Sequence, residues 1–133
     1  MADGRAMRLL LDTSALVHLA SGTLSAAAAD ALRQGGLAVI SPVIPWELAI
    51  KMKAGKLELP LPPLEYCVSL ARRHQLTLPQ EGLDAALLCA AADLPLIHRD
   101  PFDRILVATA LREQFAVLTP DRTIAMYPVA TVW

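Results

Sequence analysis

Three short stretches of this chain are apolar at every position: Leu9-Leu10-Leu11, Leu37 to Ile40 and Phe115 to Leu118. A strand with one wet face alternates apolar and polar residues. These do not alternate, so each must be covered on both faces. Helical segments stand between them. Ala15 to Ala20 reads as a helix with Ser14 as its cap, and the Ala-rich stretch Ala26 to Gln34 is stopped by Gly35-Gly36. Ser41-Pro42 supplies a cap and a proline start for a helix running to about Ala54, where Gly55 ends it. After Pro60, Pro62 and Pro63 comes a helix over about Leu64 to His74, then Gly82 to Ala92, apolar enough to be expected buried on most sides. Asp100-Pro101 starts another, to about Gln114. Leu76 to Leu78 is a candidate short strand, Thr119-Pro120-Asp121 a turn, and Val129 to Trp133 a final strand.

Buried strands alternating with helices predict an α/β fold, a three-layer α/β/α sandwich around a central, mainly parallel sheet. With 133 residues the expectation is one domain over 1–133. Met7 can serve as a start, so Met1 to Ala6 are expected to be loosely held. Disorder is excluded by a chain 55% hydrophobic and 19% charged. The longest apolar run, Ala85 to Ala92, lies between Asp84 and Asp93, well short of the roughly 20 residues a membrane helix needs. Leu9-Leu10-Leu11 is too short for a signal-peptide core. A cytoplasmic protein is therefore expected. Cys67 and Cys89 are isolated and read as buried small apolar residues in a reducing compartment. A net charge of −1 announces no global attraction to nucleic acid, though it leaves room for local basic patches.

Four acids do not behave like surface charges. Asp12 follows the first strand directly, and Asp121 follows the Phe115–Leu118 strand after two residues, so parallel strands deliver both to one edge of the sheet. A strand-end Asp also caps turns. Asp103 begins a stripe continued by Leu106, Val107, Ala110 and Gln114, where an apolar residue would be expected; an acid in the first helical turn, with Asp100 as cap, is the plainer account. Glu47 lies among Ile44, Trp46, Leu48 and Ile50, in a segment apolar nearly all round, with Lys51 four residues on as an ion-pair partner. A buried carboxylate needs a partner or a metal. Clustered carboxylates are hard oxygen donors suited to Mg²⁺ or Mn²⁺. Such ions activate water for attack at phosphorus, so the chemistry inferred is phosphodiester hydrolysis.

At these residues the chain resembles PIN-domain ribonucleases, and among them the VapC-type toxins of prokaryotic toxin–antitoxin pairs. The pieces are LLLDTSALV (Leu9–Val17), Trp46 to Lys51 with Gly55-Lys56-Leu57 after it, HRDPFDRILVATA (His98–Ala110), VLTPD (Val117–Asp121) and the ending Tyr127-Pro128 through Trp133. Carried over, the family's acidic quartet falls on Asp12, Glu47, Asp103 and Asp121. Ser14 matches the hydroxyl residue that supports the first Asp, with Thr119 a further such candidate. Asp100 is either a cap or an outer ligand. The resemblance implies a Mg²⁺- or Mn²⁺-dependent endoribonuclease, restrained by a cognate antitoxin and dimeric. Arg104 and Lys51, close in sequence to proposed ligands, are candidate contacts to RNA phosphates. His18, His74 and His98 show no metal-ligand spacing and receive no catalytic role. Trp46 and Trp133 are expected in the core.

Other readings predict different residues. A receiver-type phosphoacceptor module wants paired acids after the first strand and an Asp ending a middle strand, whereas Leu11 and Thr13 flank Asp12. A phosphatase of the haloacid-dehalogenase class needs Asp-x-Asp, and Ser14 stands in the second place. A catalytically inactive PIN-like binding scaffold predicts loss of one or more acids, and all four are present.

Overall fold

The computed structural model describes residues 7–133, so the expectation about Met1 to Ala6 lies outside the described residues. Four strands form one sheet: β1 (Leu9–Leu11), β2 (Ala38–Ile40), β3 (Ala116–Leu118) and β4 (Thr131–Val132), in the order β2-β1-β3-β4. Every pairing is parallel. Strands β1, β2 and β3 are buried at every residue, as their unbroken apolar runs require. The helices are α1 (Thr13–Ser21), α2 (Ala26–Arg33), α3 (Val43–Lys53), α4 (Pro63–His74), α5 (Ala85–Asp93) and α6 (Pro101–Glu113). The α/β sandwich expected from the sequence is the fold observed.

Local chemistry sets the element ends. The Ser41 hydroxyl accepts from the Val43 N–H at 3.2 Å, and Asp100 caps α6 by accepting from the Phe102 N–H at 2.9 Å. Pro101 follows at the first helical position, where its missing N–H has no partner to lose. Gln114 ends α6 in the left-handed conformation (φ 60°), directly before β3. Leu76 to Leu78 form less than a strand. Only Thr77 pairs, bonding Ala38 and Ile40 on the free edge of β2, and Pro79 then removes the next donor.

Four expectations are corrected. The cap of α1 is Asp12, whose Oδ1 accepts from the Ala15 N–H at 2.7 Å; Ser14 is an exposed residue inside the helix. Helix α5 buries only Leu87 and Ala91, so Leu88, Cys89 and four alanines face outward. Full burial would have needed cover all round, and α5 packs chiefly against α6. Cys67 is buried, whereas Cys89 is exposed. Trp46 is 53% exposed with its edge against Phe102, and Trp133 lies at the surface with its ring against His18. No single helix among the described residues is long and apolar enough to cross a membrane.

Candidate active site

The sheet register builds one side of the site. Leu11 pairs with Leu118, so Asp12 and Thr119, the next residue of each strand, emerge side by side at the carboxyl ends. Both are buried. The Thr119 hydroxyl donates to Asp12 Oδ2 and accepts from the Asp121 N–H at 2.9 Å, which ties the loop after β3 to the end of β1. Asp12 therefore carries one hydrogen bond on each oxygen. A carboxylate has roughly four acceptor positions, so each oxygen keeps lone-pair capacity toward the pocket.

Helix α3 supplies Glu47. Its side chain is buried, paired with Lys51 one turn on, and its Oε1 accepts from the Thr13 hydroxyl at 2.7 Å. The Lys51 side chain is 41% exposed and lines the pocket, which keeps one positive charge beside the acids.

Helix α6 supplies Asp103 from its first turn, and the loop before it supplies His98. His98 Nε2 lies 3.1 Å from Asp103 Oδ2 and 2.9 Å from Asp121 Oδ2. On the other side of the ring, Nδ1 accepts from the Asp100 N–H at 3.1 Å. A ring nitrogen that accepts carries no proton, so the proton is on Nε2 and is shared between the two acids.

Asp12, Glu47, Asp100, Asp103 and Asp121 together line one open pocket of about 510 Å³. Burial pushes the Asp12 carboxyl up, against the hydrogen bonds from Thr119 and Ala15. Asp103 is pushed up to about 7, first by burial, then by the Asp100 charge, with His98 opposing. Asp121 is also partly buried, yet the His98 hydrogen bond and the Thr123 N–H hold it below the usual carboxylate range. The hydrogen bond that Lys51 donates to Glu47 raises its pKa, against the cost of burial. Asp12 and Asp103, two acids of one pocket that both resist ionisation, are what a bound cation relieves. The donors that line the pocket are carboxylate oxygens, which fit Mg²⁺ or Mn²⁺. A second cavity, of about 240 Å³ and lined by Leu10, Val39, Leu87 and Phe115, is mainly apolar and gathers no comparable set of ligands.

The structure thus brings all four sequence-predicted acids into one pocket, with Thr119 bonded to the first of them. Ser14 lines the pocket without a hydrogen bond to Asp12. Asp100 does both things the sequence left open, capping α6 and lining the pocket. Arg104 is corrected: it is buried, and its guanidinium donates to the carbonyls of Ala92, Leu94, Pro95 and His98, so it is not free for a phosphate. Sequence reasoning missed Thr13 and His98. His98 sits only two residues before the cap of α6, in the same short segment as Asp103, and that was its one local signal.

Comparison with known proteins agrees with this fold. A chain of VapBC2 from Rickettsia felis, solved bound to a DNA fragment from their promoter, superposes with a TM-score of 0.65 at 14% identity, covering 94% of this chain and 97% of that one. No curated protein matches the sequence. The family model for the PIN domain matches residues 9–129, from the first residue of β1 to two residues before β4. The match takes in all five pocket acids, and the chain belongs to the PIN domain family.

Proposed function

We propose that this protein is a Mg²⁺- or Mn²⁺-dependent endoribonuclease of the VapC type, the toxin of a toxin–antitoxin pair, formed by a single PIN domain over 1–133 and acting in the cytoplasm. The observation that carries this reading is the convergence of Asp12, Glu47, Asp103 and Asp121, from four separate segments, on one pocket at the carboxyl ends of β1 and β3. Asp12 and Asp103, with Glu47 and Asp121, would hold the metal. When bound, a divalent ion supplies water activation and stabilises charge on the departing oxygen of the phosphodiester.

The chain's own residues do the rest. Thr119 orients Asp12, while Thr13 and Lys51 hold Glu47 toward the pocket. Lys51 is the cation an incoming RNA phosphate meets first. Similarity to a chain of VapBC2 supports an antitoxin as partner. The exposed apolar side of α5 supports association with protein, whether a second copy or that antitoxin.

The test is cleavage of a total RNA pool by the purified protein in Mg²⁺, in Mn²⁺ and in EDTA, beside Asp12→Asn. Discrete metal-dependent fragments, absent with the variant, are expected. A folded protein that neither cleaves RNA nor takes up Mn²⁺ would be a PIN-like scaffold, and the reading would be wrong.

A further inference from the structure

We propose that His98 is a positioning residue that draws Asp121, on an irregular loop, to Asp103, on the rigid first turn of α6. The two Oδ2 atoms lie 2.9 and 3.1 Å from a single Nε2, and without a donor between them two carboxylates at this separation repel. Asp103 is the better anchored, on a helix that packs against both α3 and α5. Asp121 has the more exposed side chain, on a segment that pairs with no strand. Thr119 holds the Asp121 backbone and the Thr123 N–H holds Oδ1, and the shared His98 N–H is what turns Oδ2 toward Asp103.

His98 is itself unusually well held. Its backbone N–H donates to the Tyr127 hydroxyl at 2.9 Å, and its carbonyl accepts from Arg104 at 3.3 Å. Tyr127 in turn donates to the Pro95 carbonyl at 2.8 Å, which Arg104 also reaches at 2.9 Å. The buried Arg104 and Tyr127 thus give the 95–98 loop one conformation, and that conformation aims the ring. The Asp100 N–H completes the orientation by occupying Nδ1. With the proton on Nε2, that nitrogen has no lone pair to give a metal, so His98 serves the two carboxylates and is not itself a ligand in this arrangement.

The inference concerns the metal site proposed above, but it is tested in two arms, one without metal. In EDTA, urea unfolding of His98→Ala, Asp121→Ala and the double variant forms a thermodynamic cycle. The loss on removing His98 is expected to shrink once Asp121 is gone, and additive losses would overturn the proposal. In the second arm, calorimetry with Mn²⁺ alone is expected to show binding about tenfold weaker for His98→Ala, with most of it recovered in His98→Gln, whose amide N–H can replace the donor. Unchanged or tighter Mn²⁺ binding by His98→Ala, or a His98→Gln as weak as His98→Ala, would overturn it. Should the wild-type protein take up no Mn²⁺, the metal reading fails, and the cycle in EDTA alone decides on His98.

Discussion

Asp12 and Thr119 stand side by side because the leucines before them, Leu11 and Leu118, are paired in the sheet, and the Thr119 hydroxyl donates to Asp12 Oδ2. The same hydroxyl is the acceptor for the Asp121 N–H. Thr119→Val keeps the shape but strips a buried carboxylate of one donor and a backbone N–H of its acceptor. A loss of about 1–3 kcal/mol is expected by urea unfolding, with Thr119→Ser close to wild type. A valine variant as stable as wild type would mean that water replaces the hydroxyl without cost.

Asp103 carries the largest penalty in the pocket, held up at about 7 by burial and by Asp100. Asp103→Asn removes that charge while keeping the side chain's size. The metal-free variant is expected to melt higher than wild type at pH 8 and to lose metal-dependent RNA cleavage. A variant that melts lower would identify Asp103 as a structural cap.

The same group gives the metal-free protein a pH signature. Below about 3.8, its unfolded value, both folded and unfolded states hold the proton and Asp103 contributes nothing. Between there and about 7 the native state alone holds it, so stability falls as pH rises, and the loss is complete above that range. Asp12, also raised, adds to this slope with the same sign. Asp121, held low, works in a different window: its stabilisation is present above its unfolded value and is lost as pH falls below it. Thermal melts in EDTA across pH 4 to 8 check this, and Asp103→Asn should flatten the decline.

Arg104 is a structural cation. Arg104→Leu leaves the carbonyls of Ala92, Leu94 and His98 without this donor, while Pro95 keeps the Tyr127 hydroxyl, and a loss of about 3–4 kcal/mol is expected in denaturant unfolding. Arg104→Lys, with a single compact ammonium, should recover only part of it.

Lys51 predicts the opposite pattern. Its side chain is 41% exposed but its partner Glu47 is buried, so Lys51→Ala should cost about 1 kcal/mol of stability, well short of Arg104→Leu. If it meets an RNA phosphate, the plot of log affinity against log salt, measured in EDTA, should lose about one unit of slope. An unchanged slope would remove Lys51 from the RNA path.

Much of this was legible from local pattern. Unbroken apolar triplets marked strands covered on both faces, Asp100-Pro101 marked the start of α6, and acids at strand ends or on apolar helix faces were conspicuous because burial makes a carboxylate costly. Composition misled where it stood in for packing. The Ala-rich α5 and Trp46 read as interior, but apolar residues become core only where another element covers them, and α5 is covered along one side.

The sequence by itself determined the elements, their order and the four acids, because caps, breaks and apolar runs act over a few residues. The tertiary structure alone decided which polar groups meet. Asp12 and Thr119 are 107 positions apart, and parallel pairing makes them neighbours. His98 carries no metal-ligand spacing, yet the loop that Arg104 and Tyr127 hold turns its ring between Asp103 and Asp121. Arg104, which by position in the chain should face RNA, turns inward because that loop's carbonyls need its N–H groups more than water can supply them. Such meetings are set by register and by the hydrogen-bond demands of buried backbone, neither of which any short window of sequence contains.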